Sequence, residues 1–121
     1  MRNLLLPLAV CLLGGAVILP AQAAARPGEE ITHLLDFVGK SPCSFIRNGV
    51  SHPATEAKAH LERKYARLKD RIKTADDFID HVASRSSTSG EPYLVRCEPG
   101  ETRQSAEWFR SELQRFRGRS R

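Results

Sequence analysis

The sequence predicts an α+β fold, mostly helical, with about four helices packed on one side of a two-stranded antiparallel ribbon. Three observations lead there. Only two stretches, Cys43-Ser-Phe-Ile-Arg-Asn-Gly49 and Pro92-Tyr-Leu-Val-Arg-Cys97, combine the aromatic and β-branched residues that suit a half-buried pleated surface. Elsewhere the apolar residues recur at intervals of three and four, the spacing of one helix face. Each strand-like stretch also carries a cysteine, so one covalent bridge would tie the ribbon together.

The chain has 121 residues and begins with a short basic segment, Met1-Arg2-Asn3. An apolar run follows from Leu4 to Leu19, then small residues through Ala21-Gln22-Ala23. This is the pattern of a secretory signal peptide, residues 1–23, cleaved near Ala23. The run is short for a membrane span and no basic stop-transfer cluster follows it, so no stable span is expected. Leu8-Ala9-Val10-Cys11 is a poor lipoprotein box, and Cys11 is read as removed with the leader. Loss of Arg2 leaves 18 basic and 14 acidic side chains on a 98-residue mature chain, a net charge of +4. That balance suits solubility and mild attraction to anions, and gives no argument for nucleic acid. A chain of this length forms one small domain, here residues 24–117, followed by a basic tail, 118–121. Cys43 and Cys97 are expected to pair, because the exported compartment is oxidising.

In chain order, Glu29 and Glu30 stand at the positive end of a first helix whose apolar stripe is Ile31, Leu34, Leu35 and Val38. Gly39 suits a left-handed C-terminal residue, and Ser41-Pro42 stops the helix. His33 falls off the stripe and reads as solvated. After the first strand, Asn48-Gly49 marks a turn. The longest helix opens with Ser51 or His52 as cap and Pro53 in its first turn, and buries Ala54, Ala57, Leu61, Tyr65, Leu68 and Ile72. His60, Lys64, Arg67 and Arg71 lie on its flank. Thr74-Ala-Asp-Asp77 is a capping box for a short helix carrying Phe78, Ile79 and Val82. A polar loop, Ser84 to Gly90, leads into the second strand. A last helix from about Ser105 buries Ala106, Phe109, Leu113 and Phe116, with Trp108 and Glu112 nearby. Arg115, Arg117, Arg119 and Arg121 read as a solvated basic end.

Antiparallel pairing with Cys43 opposite Cys97 sets Phe45 against Val95 and Arg47 against Tyr93. Arg47 is therefore expected to be partly buried, stacked on Tyr93 and bonded to carbonyls of the Ser84–Gly90 loop. The same end of the ribbon receives Asn48 from the turn, His60 and Lys64 from the long helix, and Ser87 and Ser89 from the polar loop. The binding reading is a polar pocket of Arg47, Asn48, His60, Lys64, Ser87, Ser89 and Tyr93, in which the cations attract an anion. The bland reading spends these groups on stacking, helix capping and turn closure. A small hydrolase is the alternative, with His60 activating Ser87 or Ser89 and Glu56 orienting the ring. Against it, the chain lacks the Gly-x-Ser-x-Gly and Ser-x-x-Lys signatures. His33, His52, His60 and His81 have no metal-ligand spacing, so neither a metal nor a cofactor is expected. Expected partners are an anionic small molecule or a periplasmic protein.

One ordered set of short motifs is distinctive: Phe45-Ile-Arg-Asn-Gly49, His60-Leu61, Thr74-Ala-Asp-Asp-Phe-Ile79, then Ser86-Ser87, Ser89-Gly90 and Pro92-Tyr93. Over roughly Ile31 to Val95 the chain resembles the YfeK-like family, small exported proteins of Gram-negative bacteria with a domain of unknown function. The resemblance implies a periplasmic location and brings no assigned activity, cofactor or catalytic residue.

Overall fold

A computed structural model describes residues 14–15 and 25–119. Apart from Gly14 and Gly15, the expected signal peptide lies outside the described residues, as do residues 120–121 of the expected tail. No described helix is long and apolar enough to cross a membrane.

Helix α1 (Pro27–Lys40) starts with proline in its first turn and Glu29 and Glu30 just inside, and buries Ile31, Leu34 and Val38. It runs one residue past Gly39, which is helical rather than a left-handed stop. Gly39 serves contact instead: a Cβ there would lie 2.7 Å from Lys58 Cδ.

Strand β1 (Ser44–Arg47) turns through Asn48 and Gly49, both at positive φ (50° and 78°), into β2 (Val50–Pro53). Positive φ at both central residues is the hairpin turn that Asn-Gly favours. The sequence reading put Ser51 to Pro53 at the start of a helix. The residues instead form an edge strand, where proline is tolerated, and Pro53 is the N-cap of α2 (Ala54–Leu68). A 3-10 turn (Lys69–Arg71) follows, and then α3 (Ala75–His81). Helix α3 begins with the expected capping box: Asp77 N donates to Thr74 Oγ1 at 3.0 Å, and Thr74 N donates to Asp77 Oδ2 at 3.2 Å.

The second expected strand is β3 (Leu94–Arg96), and a further one, β4 (Thr102–Gln104), leads directly into α4 (Ser105–Arg119). The ribbon is therefore the centre of a four-stranded antiparallel sheet in the order β2-β1-β3-β4. A lone pair of strands is marginal in water, and two flanking strands satisfy its outer edges. Phe45 pairs with Val95, and continuing that register sets Cys43 against Cys97 and Arg47 against Tyr93. The cysteines form a disulfide with Cα atoms 4.3 Å apart.

The core gathers Leu34 and Val38 of α1, Phe78 and Ile79 of α3, Val95 of β3, and Phe109 and Leu113 of α4. Trp108 lies buried between Phe37 and Phe45, at 4.4 and 5.4 Å between ring centroids. Of the C-terminal arginines expected in solvent, Arg119 is exposed, but Arg115 and Arg117 are tied to carboxylates. Arg117 binds the buried Glu30 carboxylate through Nε (2.7 Å) and Nη2 (3.1 Å), and reaches Asp76 at 3.1 Å. Arg115 pairs with the buried Glu112. His33, expected in solvent, stacks on Phe116 at 4.0 Å with Nε2 3.7 Å from Glu112 Oε2.

Candidate functional site

The pocket is built by three segments meeting at the turn end of the sheet. The β1–β2 hairpin brings Arg47 and Asn48, α2 brings His60, Lys64 and Arg67, and the loop between α3 and β3 brings Ser86, Ser87 and Thr88, with Tyr93 behind them. Together they line a cavity of about 360 Å³. Of the residues expected at the site, Arg47, Asn48, His60, Lys64, Ser87 and Tyr93 all line it. Ser89 stands just behind, donating to Asn48 Oδ1 at 2.5 Å.

The hydrogen bonds form a chain. Arg47 Nη1 donates to His60 Nδ1 at 2.7 Å, and His60 Nε2 lies 3.0 Å from the Tyr93 hydroxyl. Lys64 donates to that hydroxyl at 3.2 Å and to the Arg85 carbonyl at 2.6 Å. A guanidinium has no acceptor, so the imidazole nitrogen facing it is unprotonated. The other nitrogen then carries the proton and donates to Tyr93. His60 is thus neutral, and burial together with Arg47, Lys64, Arg63 and Arg67 holds its pKa down to about 4. Lys64 is 2 % exposed, and burial, with Arg67 and Arg47, lowers its pKa to about 8. Burial raises Tyr93, against the opposing pull of Arg47 and Arg67.

The role expected of Arg47 falls to two other residues. Lys64, not Arg47, lies over the Tyr93 ring, 5.0 Å from its centroid, and grips the loop carbonyl. Asn48 ties the hairpin to the same loop through Ser86 (3.4 Å) and Ser89 (2.5 Å). The loop braces itself as well: Gly90 N donates to the Ser86 carbonyl, and Ser89 N to the Ser86 hydroxyl. Ser84 caps α3 through the Ile79 carbonyl at 2.5 Å.

The His60–serine pairing does not form. The histidine's two nitrogens face Arg47 and Tyr93, and the Ser89 hydroxyl is held by Asn48 and by Glu91 N. Glu56, proposed to orient His60, pairs with His52 instead at 3.2 Å. Among the described residues no three His, Cys, Asp or Glu side chains gather as a metal site. The sequence reading left out Arg67, Ser86 and Thr88 as site residues. Arg67 was traceable, since it follows His60 and Lys64 on the same helix flank.

A family model described as a family of unknown function (DUF5329) matches residues 25–117. The chain belongs to that family. The span of this chain matched to DUF5329 takes in every residue of the pocket. The chain is also 44% identical over 78 residues to the uncharacterized protein YfeK of Salmonella typhimurium, covering 62% of this chain and 65% of that protein. It therefore spans just under two thirds of this relative's length. No solved structure matches.

Proposed function

We propose that the protein is an exported, periplasmic binding module that holds a small anion in the pocket between the hairpin, α2 and the 84–92 loop. One observation carries the reading: Arg47, Lys64 and Arg67 line a single cavity that no carboxylate lines. Three cations without a counter-charge are costly to hold together; burial first, and the neighbouring cations second, depress the pKa values of Lys64 and His60. An anion relieves the cost of holding the cations together. The hydroxyls of Ser87 and Thr88 supply neutral donors beside the cations, a mixture suited to phosphate or carboxylate oxygens. The signal-peptide pattern at the N-terminus supports export.

Titration calorimetry with inorganic phosphate and with acetate, at fixed ionic strength, tests this. Saturable binding is expected. An anion also favours protonated Lys64, so binding near pH 8 is expected to take up a proton, read as a dependence of the heat on the buffer's ionisation enthalpy. Absence of saturation with both anions at low salt overturns the reading.

A further inference from the structure

We infer that the ligand is a soluble organic anion with a short apolar body, its charged head in the cationic pocket and its body in the groove next to it. This deepens the anion-binding reading and rests on it. A second cavity, of about 250 Å³, adjoins the first, and Arg47, His52, His60 and Tyr93 line both. Its character is different. Phe45 and Ile46 of β1, Ala57 and Leu61 of α2, and Phe109 of α4 give it an apolar lining. All but Ile46 belong to the core or pack against it, so the groove is a preformed, partly open cleft walled by packed side chains.

Charge fixes the orientation of the ligand. Apart from the shared Arg47, the charged side chains of the groove are Glu56 and Arg63, of opposite sign, with Glu56 paired to His52, so the groove offers an anion no net attraction. The near end opens at Arg47 and His60, beyond which stand Lys64 and Arg67. A molecule with one anionic end therefore enters in a single direction. A bare inorganic anion would leave the apolar groove empty, and an uncharged hydrocarbon would leave the cations unrelieved. The neutral His60 ring, fixed between Arg47 and Tyr93, forms the shared wall at the junction of head and body.

The small volume of the groove suits a small molecule rather than a polypeptide or a bilayer. The test is a homologous series on the mature chain: inorganic phosphate, then ethyl, butyl, hexyl and octyl phosphate, each below its micellar concentration and at one ionic strength. Affinity is expected to rise about fourfold for each methylene that enters the groove, then to level off when the groove is full. Ala59→Leu, on the groove wall, is expected to bring that plateau to a shorter chain, with a thermal melt confirming that the variant is folded. Binding of phosphate with no gain along the series overturns this inference and leaves the anion-binding reading standing. Failure of phosphate and of every alkyl phosphate overturns both. Retention on anionic vesicles without a response to the soluble series overturns the assignment to a soluble ligand.

Discussion

Lys64 donates to the carbonyl oxygen of Arg85 at 2.6 Å from a side chain that is 2 % exposed. A lysine on a helix flank ordinarily keeps its ammonium in water. Here it crosses beneath the Tyr93 hydroxyl and holds the loop that closes the pocket. Lys64→Met keeps much of the apolar stem but leaves that carbonyl without its donor. We expect a loss of about 1–3 kcal/mol in urea unfolding, the desolvation cost of an orphaned carbonyl. Phosphate binding should weaken as well. A variant as stable as the wild type with intact phosphate binding would remove Lys64 from both roles.

The pH dependence follows from His60. The unfolded chain protonates this imidazole near its ordinary value of 6.5, and the folded chain only near 4. Between those values the unfolded state holds the extra proton, so acidification favours unfolding and stability rises with pH across the window. The cations facing the ring are Arg47 from β1 and Lys64, Arg63 and Arg67 from α2. The effect is on the order of 1 kcal/mol, because solvent reaching the half-exposed ring screens part of the penalty. His60→Asn should flatten the stability profile between pH 6.5 and 4. A profile unchanged by this substitution would place the acid sensitivity elsewhere. Asp77, whose pKa is lowered chiefly by the Lys73 N–H, acts only at still lower pH.

Arg117 is a structural arginine, and Arg119, two residues on, is a solvated one. Removing it leaves Glu30 as a buried, unpaired carboxylate. Arg117→Gln should cost about 2–3 kcal/mol, below the range of about 3–5 for breaking a fully buried pair because the guanidinium is itself part-exposed. Arg119→Gln should stay within about 0.5 kcal/mol. Chemical denaturation of the two variants side by side decides it, and equal midpoints would refute the assignment.

The Cys43–Cys97 bridge closes a loop with a sequence separation of 54. The chain-entropy model credits such a loop with about 4 kcal/mol. The double variant Cys43→Ser, Cys97→Ser should therefore unfold at markedly lower denaturant. Intact mass should rise by two protons on reduction of the exported protein, and no rise would exclude the bridge in solution.

The sequence revealed much of this, for identifiable reasons. Alternation in Phe45-Ile46-Arg47 and Tyr93-Leu94-Val95, pinned by two cysteines, left one sensible register, and the structure has it. The capping box of α3 needed only four consecutive residues. Strands β2 and β4 were hidden because Val50–Pro53 and Thr102–Gln104 carry no buried residue; their place in the sheet comes from main-chain pairing alone. The site residues were found as a group because they cluster at the ends of legible elements. Which cation does what was not legible. Arg47 and Lys64 exchange their expected roles because the helix directs Lys64 inward under Tyr93, a matter of three-dimensional placement that spacing does not encode.

The pocket has a topological property as well. Its lining runs from Arg47 to Tyr93, wholly between Cys43 and Cys97. The site therefore sits inside a covalently closed ring, with α1 and α4 packed on it from outside. A single protease cut in the exposed stretch from Ser87 to Glu91 opens the ring without releasing either half, so hairpin, helix and loop remain parts of one molecule. Only a second cut within the ring, or reduction of the bridge, lets them part.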